Sequence, residues 1–190
     1  MASIRFHLAN LFRFAGRESC SFFWIYAGCV FGASFLAMFA VMVPMFSSTF
    51  ARMQQFAVAH PDKATITQGP GSYSIQIQGY HPELFPDLRP VMGAFCLIVA
   101  IVVLLLAAAV ARRLHDRDKS GFWGLMPLPF LATGFALMPR MFDAPEPDMT
   151  LFGYLFLNNA IYIGLLVFLI ILLAGRSEPG ENRYGPVPSP

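Results

Sequence analysis

Three stretches of the chain run for twenty residues or more without a charged side chain: about Phe22 to Phe46, Val91 to Ala111, and Leu151 to Ala174. A bilayer core of about 30 Å takes about 20 apolar residues of helix. A backbone in lipid must also satisfy its own hydrogen bonds, so each run is predicted to be a spanning helix. A fourth run, Phe122 to Met138, is shorter and holds Pro127 and Pro129. Proline lacks a backbone donor and clashes with the preceding turn. The segment is predicted to be a kinked span shielded by its neighbours, with a re-entrant segment as the competing reading. The fold class expected is an all-α membrane protein, a four-helix transmembrane bundle. Its parts are an N-terminal segment 1–21, spans 22–46, 91–111, 122–138 and 151–174, outer loops 47–90 and 139–150, an inner loop 112–121 and a tail 175–190.

The 47–90 loop is long for a connection and carries a second period. Ala64-Thr-Ile-Thr-Gln and Tyr73-Ser-Ile-Gln-Ile-Gln alternate apolar and polar positions around Gly69-Pro70-Gly71, which predicts a small β-hairpin. A lone hairpin is marginal in water, so it needs the bundle or a partner to pack on.

Charge orients the spans. With four crossings, one side carries Arg5, Arg13, Arg17, Arg112, Arg113, Arg117, Lys119, Arg176 and Arg183. The other carries Arg52, Lys63, Arg89 and Arg140. Basic residues near helix ends stay in the cytoplasm, so both termini are expected inside. More than 20 residues precede the first run and no small-residue cleavage site follows it, so a cleavable signal peptide is not expected.

Composition agrees with the pattern: 56% of residues are hydrophobic, 13% are charged, and the mean hydropathy is +0.58. The excess apolar surface must face something other than water. A net charge of +2 gives no reason to expect nucleic acid as a partner. Cys20, Cys29 and Cys96 lie in or beside apolar runs, read as small apolar filler and not as a disulfide framework.

The polar clusters gather on the predicted inner face. They are Phe14-Ala-Gly16-Arg17-Glu18-Ser19 before the first span, Ala111-Arg112-Arg113-Leu114-His115-Asp116 with Arg117-Asp118-Lys119-Ser120-Gly121-Phe122-Trp123 after the second, and Gly180-Glu181-Asn182-Arg183-Tyr184-Gly185-Pro186 in the tail. In order and spacing these resemble the signature of the bacterial inner-membrane family known as domain of unknown function 805. The chain departs from that pattern at Cys20, where the family often has a basic residue, and in its long outer loop. The resemblance implies a multi-span protein of the bacterial inner membrane and brings no assigned mechanism.

The residues themselves suggest a bland and a sharp reading. Arg112 and Arg113 stand four and three residues before Asp116, spacings that stabilise a helix by about 0.2–0.5 kcal/mol per pair. They also stand at headgroup depth, where long basic side chains reach anionic lipid. His115 beside Asp116 raises a general base or a metal ligand. Neighbours on a helix diverge by about 100°, however, and the other inner candidates, His7, Glu18 and Cys20, lack ligand spacing. No catalytic residue, cofactor or metal is therefore expected. His60 and His81 read as solvated loop residues.

Within the spans, Gly28 and Gly32 form a Gly-xxx-Gly pair that admits a close neighbouring helix. Asn158 and Asn159 are able to hydrogen-bond between helices. The absence of ionisable residues from the spans argues against an ion-coupled transporter. Trp24, Trp123 and Tyr184 suit the inner interface, and Ile4 to Phe14 suits an amphipathic helix lying along it. Pro186, Pro188 and Pro190 argue for a disordered end. The function expected is non-enzymatic, scaffolding or regulatory, with lipid headgroups, a protein partner or a second copy at the inner face. A small oligomeric transporter or channel is the alternative, and a lipid-acting enzyme a third.

Overall fold

The structure, a computed structural model, describes residues 2–143 and 148–188. Residues 144–147 of the expected 139–150 loop, and Pro190 of the proline-rich end, lie outside it. The elements in chain order are α1 (Ala2–Ala9), α2 (Cys20–Ala59), β1 (Ala64–Gly69), β2 (Ser72–Ile77), α3 (Arg89–His115), α4 (Leu128–Asp143) and α5 (Met149–Ala174). Four helical segments are long and apolar enough to cross a membrane, with 3-10 turns leading into those at Pro82–His115 and Gly121–Met141. This is an all-α membrane fold with one two-stranded sheet.

The chain divides into two units, Met1–Ser34 with Val99–Pro190, and Phe35–Ile98. The first holds the core. Phe23, Tyr26, Ala27 and Val30 of α2 pack with Ala109 and Leu114 of α3 and Leu169 and Leu173 of α5. Most other large apolar side chains on these helices are exposed, as they must be where the solvent is lipid. The first unit also gathers α1, the end of α3 and the residues after α5 at one end.

In the second unit the hairpin pairs Ala64 with Ile77 through Gly69 with Ser72. Its two-residue loop is Pro70–Gly71, with Gly71 at φ 78°, the Pro–Gly order of a type II turn. The expected packing partner is α2, which runs 40 residues to Ala59. At 1.5 Å per residue that is about 60 Å, twice a bilayer core. Tyr73 meets Phe50 at 5.8 Å and accepts from Gln54 at 3.2 Å. His60 and His81 are less free than loop residues: both rings contact Phe56, and His81 bonds Glu83 at 3.0 Å.

Two expectations about the spans need correcting. Pro127 and Pro129 do not kink a helix from within. A 3-10 turn over Gly121–Leu125 precedes them, and α4 begins at Leu128, where a missing N–H costs nothing because first-turn donors have no intrahelical acceptor. The proline within α4 is Pro139. Among the described residues no neighbouring helix comes close to Gly28 or Gly32: both are exposed, and a Cβ at either would meet open space. Close approach occurs elsewhere, with Gly121 against Ala111 and Gly134 against the Asn158 amide.

Candidate functional site

A helix ends with four carbonyls that no following N–H can reach, together with the negative end of its dipole. The end of α5 meets this need with arginines from another helix. Arg117 donates to the Ile171 and Leu172 carbonyls at 3.2 and 2.5 Å. Arg113 donates from Nε to the Leu173 carbonyl at 2.8 Å and from Nη2 to the Gly175 carbonyl. Glycine at 175 leaves the space that the Arg117 guanidinium occupies, and a Cβ there would make that side chain shift. Arg113 stands in the last turn of α3 and Arg117 in the turn that follows it, so the end of one helix caps the end of the other.

Arg113 also donates from Nη1 to Asp116 Oδ2 and to Ser177 Oγ at 3.1 Å. Asp116 takes a second guanidinium through Oδ1, bonded to Arg17 Nε at 3.1 Å. Arg17 in turn reaches the tail: Nη2 donates to the Glu178 carbonyl at 2.8 Å, and Nη1 to the Gly180 and Gly185 carbonyls at 2.6 and 3.2 Å. Arg113 and Asp116 are both 0% exposed. A buried carboxylate between two guanidiniums is a closed electrostatic unit, and its hydrogen bonds tie three distant segments together.

A second chain of contacts holds α1. Glu18 accepts from Arg112 Nε at 2.9 Å through Oε2 and contacts His7 Nε2 at 2.6 Å through Oε1. Arg112 Nη1 further donates to the Asn10 and Arg13 carbonyls at 3.2 and 2.6 Å. His7 stacks on Tyr26 with ring centres 3.9 Å apart and planes 6° apart, while Nδ1 meets the Ser3 carbonyl at 2.6 Å. Glu18, Arg112 and His7 are at most 3% exposed. Ser3, His7 and Glu18 superficially suggest a nucleophile, a base and an orienting acid. The Ser3 hydroxyl, however, donates to the Phe22 carbonyl at 3.1 Å, and its own carbonyl takes His7 Nδ1. The three residues fasten α1 to α2.

The tail closes on the same place. Asn182 and Gly185 bond each other through both backbone groups, at 3.2 and 2.9 Å, with Gly185 at φ 123°. The Asn182 amide donates to the His115 carbonyl at 2.9 Å, and its side-chain oxygen accepts from Tyr184 N at 2.9 Å. Tyr184 stacks on His115 at 3.8 Å, and Arg183 pairs with Asp118 at 3.0 Å. His115 Nδ1 donates to the carbonyl of Gly16, itself at φ 99°. Of the residues singled out from sequence, Gly16, Arg17, Arg112, Arg113, His115, Asp116, Asn182, Arg183, Tyr184 and Gly185 thus meet in one cluster, and Gly121 packs beside it.

Three details differ from expectation. Arg112 pairs with Glu18 and not with Asp116. Neither Arg112 nor Arg113 reaches out to lipid, because both are buried among internal acceptors. Tyr184, expected as an interfacial aromatic, also stacks on His115. His115 and Asp116 turn to different partners, as neighbours on a helix must. Sequence reasoning named Glu18 and Arg117 in the polar clusters without their partners, and missed Ser3, His7 and Tyr26 as members. One signal for Glu18 was available: a lone carboxylate directly before a charge-free span needs a counter-ion.

His115 lies past the apolar run that ends at Ala111. Burial, the largest influence, brings its pKa below the ordinary 6.5; the bond to Gly16 opposes this and the Arg183 charge adds to it. The folded chain therefore takes up this proton less readily than the unfolded chain. The contribution is whole above pH 6.5 and declines as pH falls towards the lowered folded value. Amide exchange at Asn182–Gly185, corrected for intrinsic rates, is expected to quicken as pH falls below 6.5. His115→Gln is expected to abolish that dependence, and an unchanged slope in the variant would refute the assignment.

Fold and site together define a class: a multi-span helical membrane protein whose terminal segments are clasped to helix ends by buried arginine–carboxylate pairs. A family model described as "Protein of unknown function (DUF805)" matches residues 11–186, nearly the whole chain, and the protein belongs to that family. No curated protein and no solved structure matches it.

Proposed function

We propose that this is a non-enzymatic scaffolding or regulatory protein of the bacterial inner membrane, with the clasp on the cytoplasmic face. The observation that carries the reading is where the charges go. Arg17, Arg112, Arg113 and Asp116 all end on partners within the chain, so the motif builds a rigid platform instead of presenting an acid–base pair to a substrate. Basic charge left outward is that of Arg5, Arg13, Lys119 and Arg176, all exposed. Together with exposed Phe12, Phe14 and Trp123, these suit anionic headgroups at an interface. The platform then offers the tail turn Asn182–Gly185 to a protein partner.

The test removes the side chain that takes three tail carbonyls, those of Glu178, Gly180 and Gly185. Arg17→Ala is expected to free residues 178–185, seen as faster amide exchange there, with the spans still protected. Partners recovered with the intact protein are expected to be lost. The intact protein in liposomes is expected to show no solute flux above empty vesicles and no turnover of labelled lipid. Flux or turnover that vanished with Arg17→Ala would sink the reading in favour of a transporter or an enzyme.

A further inference from the structure

Helix α5 carries two adjacent asparagines with different fates. The Asn158 amide donates to the Phe130 carbonyl of α4 at 2.9 Å. Asn159 is exposed, and its amide has no hydrogen-bond partner among the described residues. It is the eleventh residue of a 26-residue helix. At 1.5 Å per residue it lies about 15 Å in from the helix start, well inside the apolar layer. Water is not there to satisfy it, and a primary amide left bare in hydrocarbon is costly.

The face around it has a definite period. Phe152, Phe156, Asn159, Ile163, Leu166 and Ile170 follow one another at intervals of four, three, four, three and four residues. That is the heptad spacing by which two helices mesh in a left-handed pair. Phe152, Phe156, Ile163 and Ile170 are exposed, at 43–69% of their surface, whereas Leu169 and Leu173 turn into the chain's own core. In so apolar a helix the heptad alone discriminates nothing; the single polar position midway along it does.

We infer that α5 pairs with α5 of a second copy of this chain, with Asn159 against Asn159 across a two-fold axis along the membrane normal. An amide carries both donor and acceptor, so two identical ones satisfy each other reciprocally. Copies inserted in one orientation hold Asn159 at one depth, so a two-fold axis brings the residue onto itself. A lone asparagine in a heptad seam fixes register and copy number in the same way. Lipid chains offer the amide nothing.

The experiment uses the full chain in native membranes with Cys20, Cys29 and Cys96 replaced by serine. Asn159→Cys and Ile163→Cys, on the seam, are expected to form disulfide-linked dimers on oxidation. Leu157→Cys and Ile161→Cys, exposed but off the seam, are expected not to. In vesicles, Asn159→Leu is expected to weaken association by roughly 3- to 10-fold, the range of interhelical amide bonds in membranes, and Asn159→Gln to recover part of it. Exchange at residues 173–185 checks that the clasp is intact in each variant. Equal cross-linking on both faces, cross-links only to a different protein, or no dimer at position 159 would each overturn the inference. So would undiminished association of Asn159→Leu.

Discussion

Arg113→Ala is expected to lower folding stability by about 3–5 kcal/mol, the range for breaking a buried ion pair from one side. The guanidinium is fully buried and serves the Leu173 and Gly175 carbonyls, Ser177 and Asp116 together. Its loss leaves Asp116 facing Arg17 alone and strips the end of α5 of half its arginine cap. Arg113→Lys is expected to recover little, because an ammonium is a point charge and cannot imitate a fork that reaches these groups and the Glu18 carbonyl at once. The measurement is thermal unfolding in detergent with exchange at Leu173–Glu178. Losses for Arg113→Ala, Asp116→Ala and the double variant are expected to be strongly non-additive, since each single change leaves the other charge stranded. A loss under about 1 kcal/mol would place the pair among ordinary surface bridges and refute the clasp.

Glu18→Ala is expected to cost about 3 kcal/mol, towards the low end of the same range because Arg112 keeps two carbonyl acceptors. Two buried cationic or donor groups, Arg112 Nε and His7 Nε2, lose their acceptor at once. The consequence is local: α1 is expected to detach while the tail stays docked. Amide exchange distinguishes the two, quickening over residues 3–10 and leaving 182–185 unchanged. Equal loosening of both segments would show that the two chains of contacts are one cooperative unit. Glu18→Gln, which still accepts from one neighbour, is expected to fall between.

The long apolar runs were readable from sequence because a bilayer imposes a length and a composition that few other environments demand. The hairpin was readable too, since its period of two stands between Gly and Pro signals. The weakest span was misread in detail for a physical reason. Proline breaks a helix from inside and starts one from the first turn, and position alone decides between them; the 3-10 turn at Gly121–Leu125 was invisible in the pattern. At the site, the polar motifs stood out because charges are rare in this chain. Their pairing did not. The spacing of Arg112 and Asp116 suits a helix pair, yet Glu18, ninety-four residues away, wins Arg112 because α2 and α3 pack side by side there. Contacts set by packing have no local signal, and Arg117, although part of the polar cluster, likewise gave no sign of the α5 carbonyls it meets.

The clasp also has a consequence for how the protein is made. Arg17 is translated before its tail acceptors, which lie 161 to 168 residues further on. At roughly 5–20 residues per second, that is on the order of 8–30 s during which the nascent chain exposes this arginine, and then Arg112 and Arg113, without their final partners. The last helix and its tail complete the electrostatics of segments already inserted. A ribosome that stops short of residue 173 leaves Arg17 and Arg113 without the carbonyls on which both end in the finished chain.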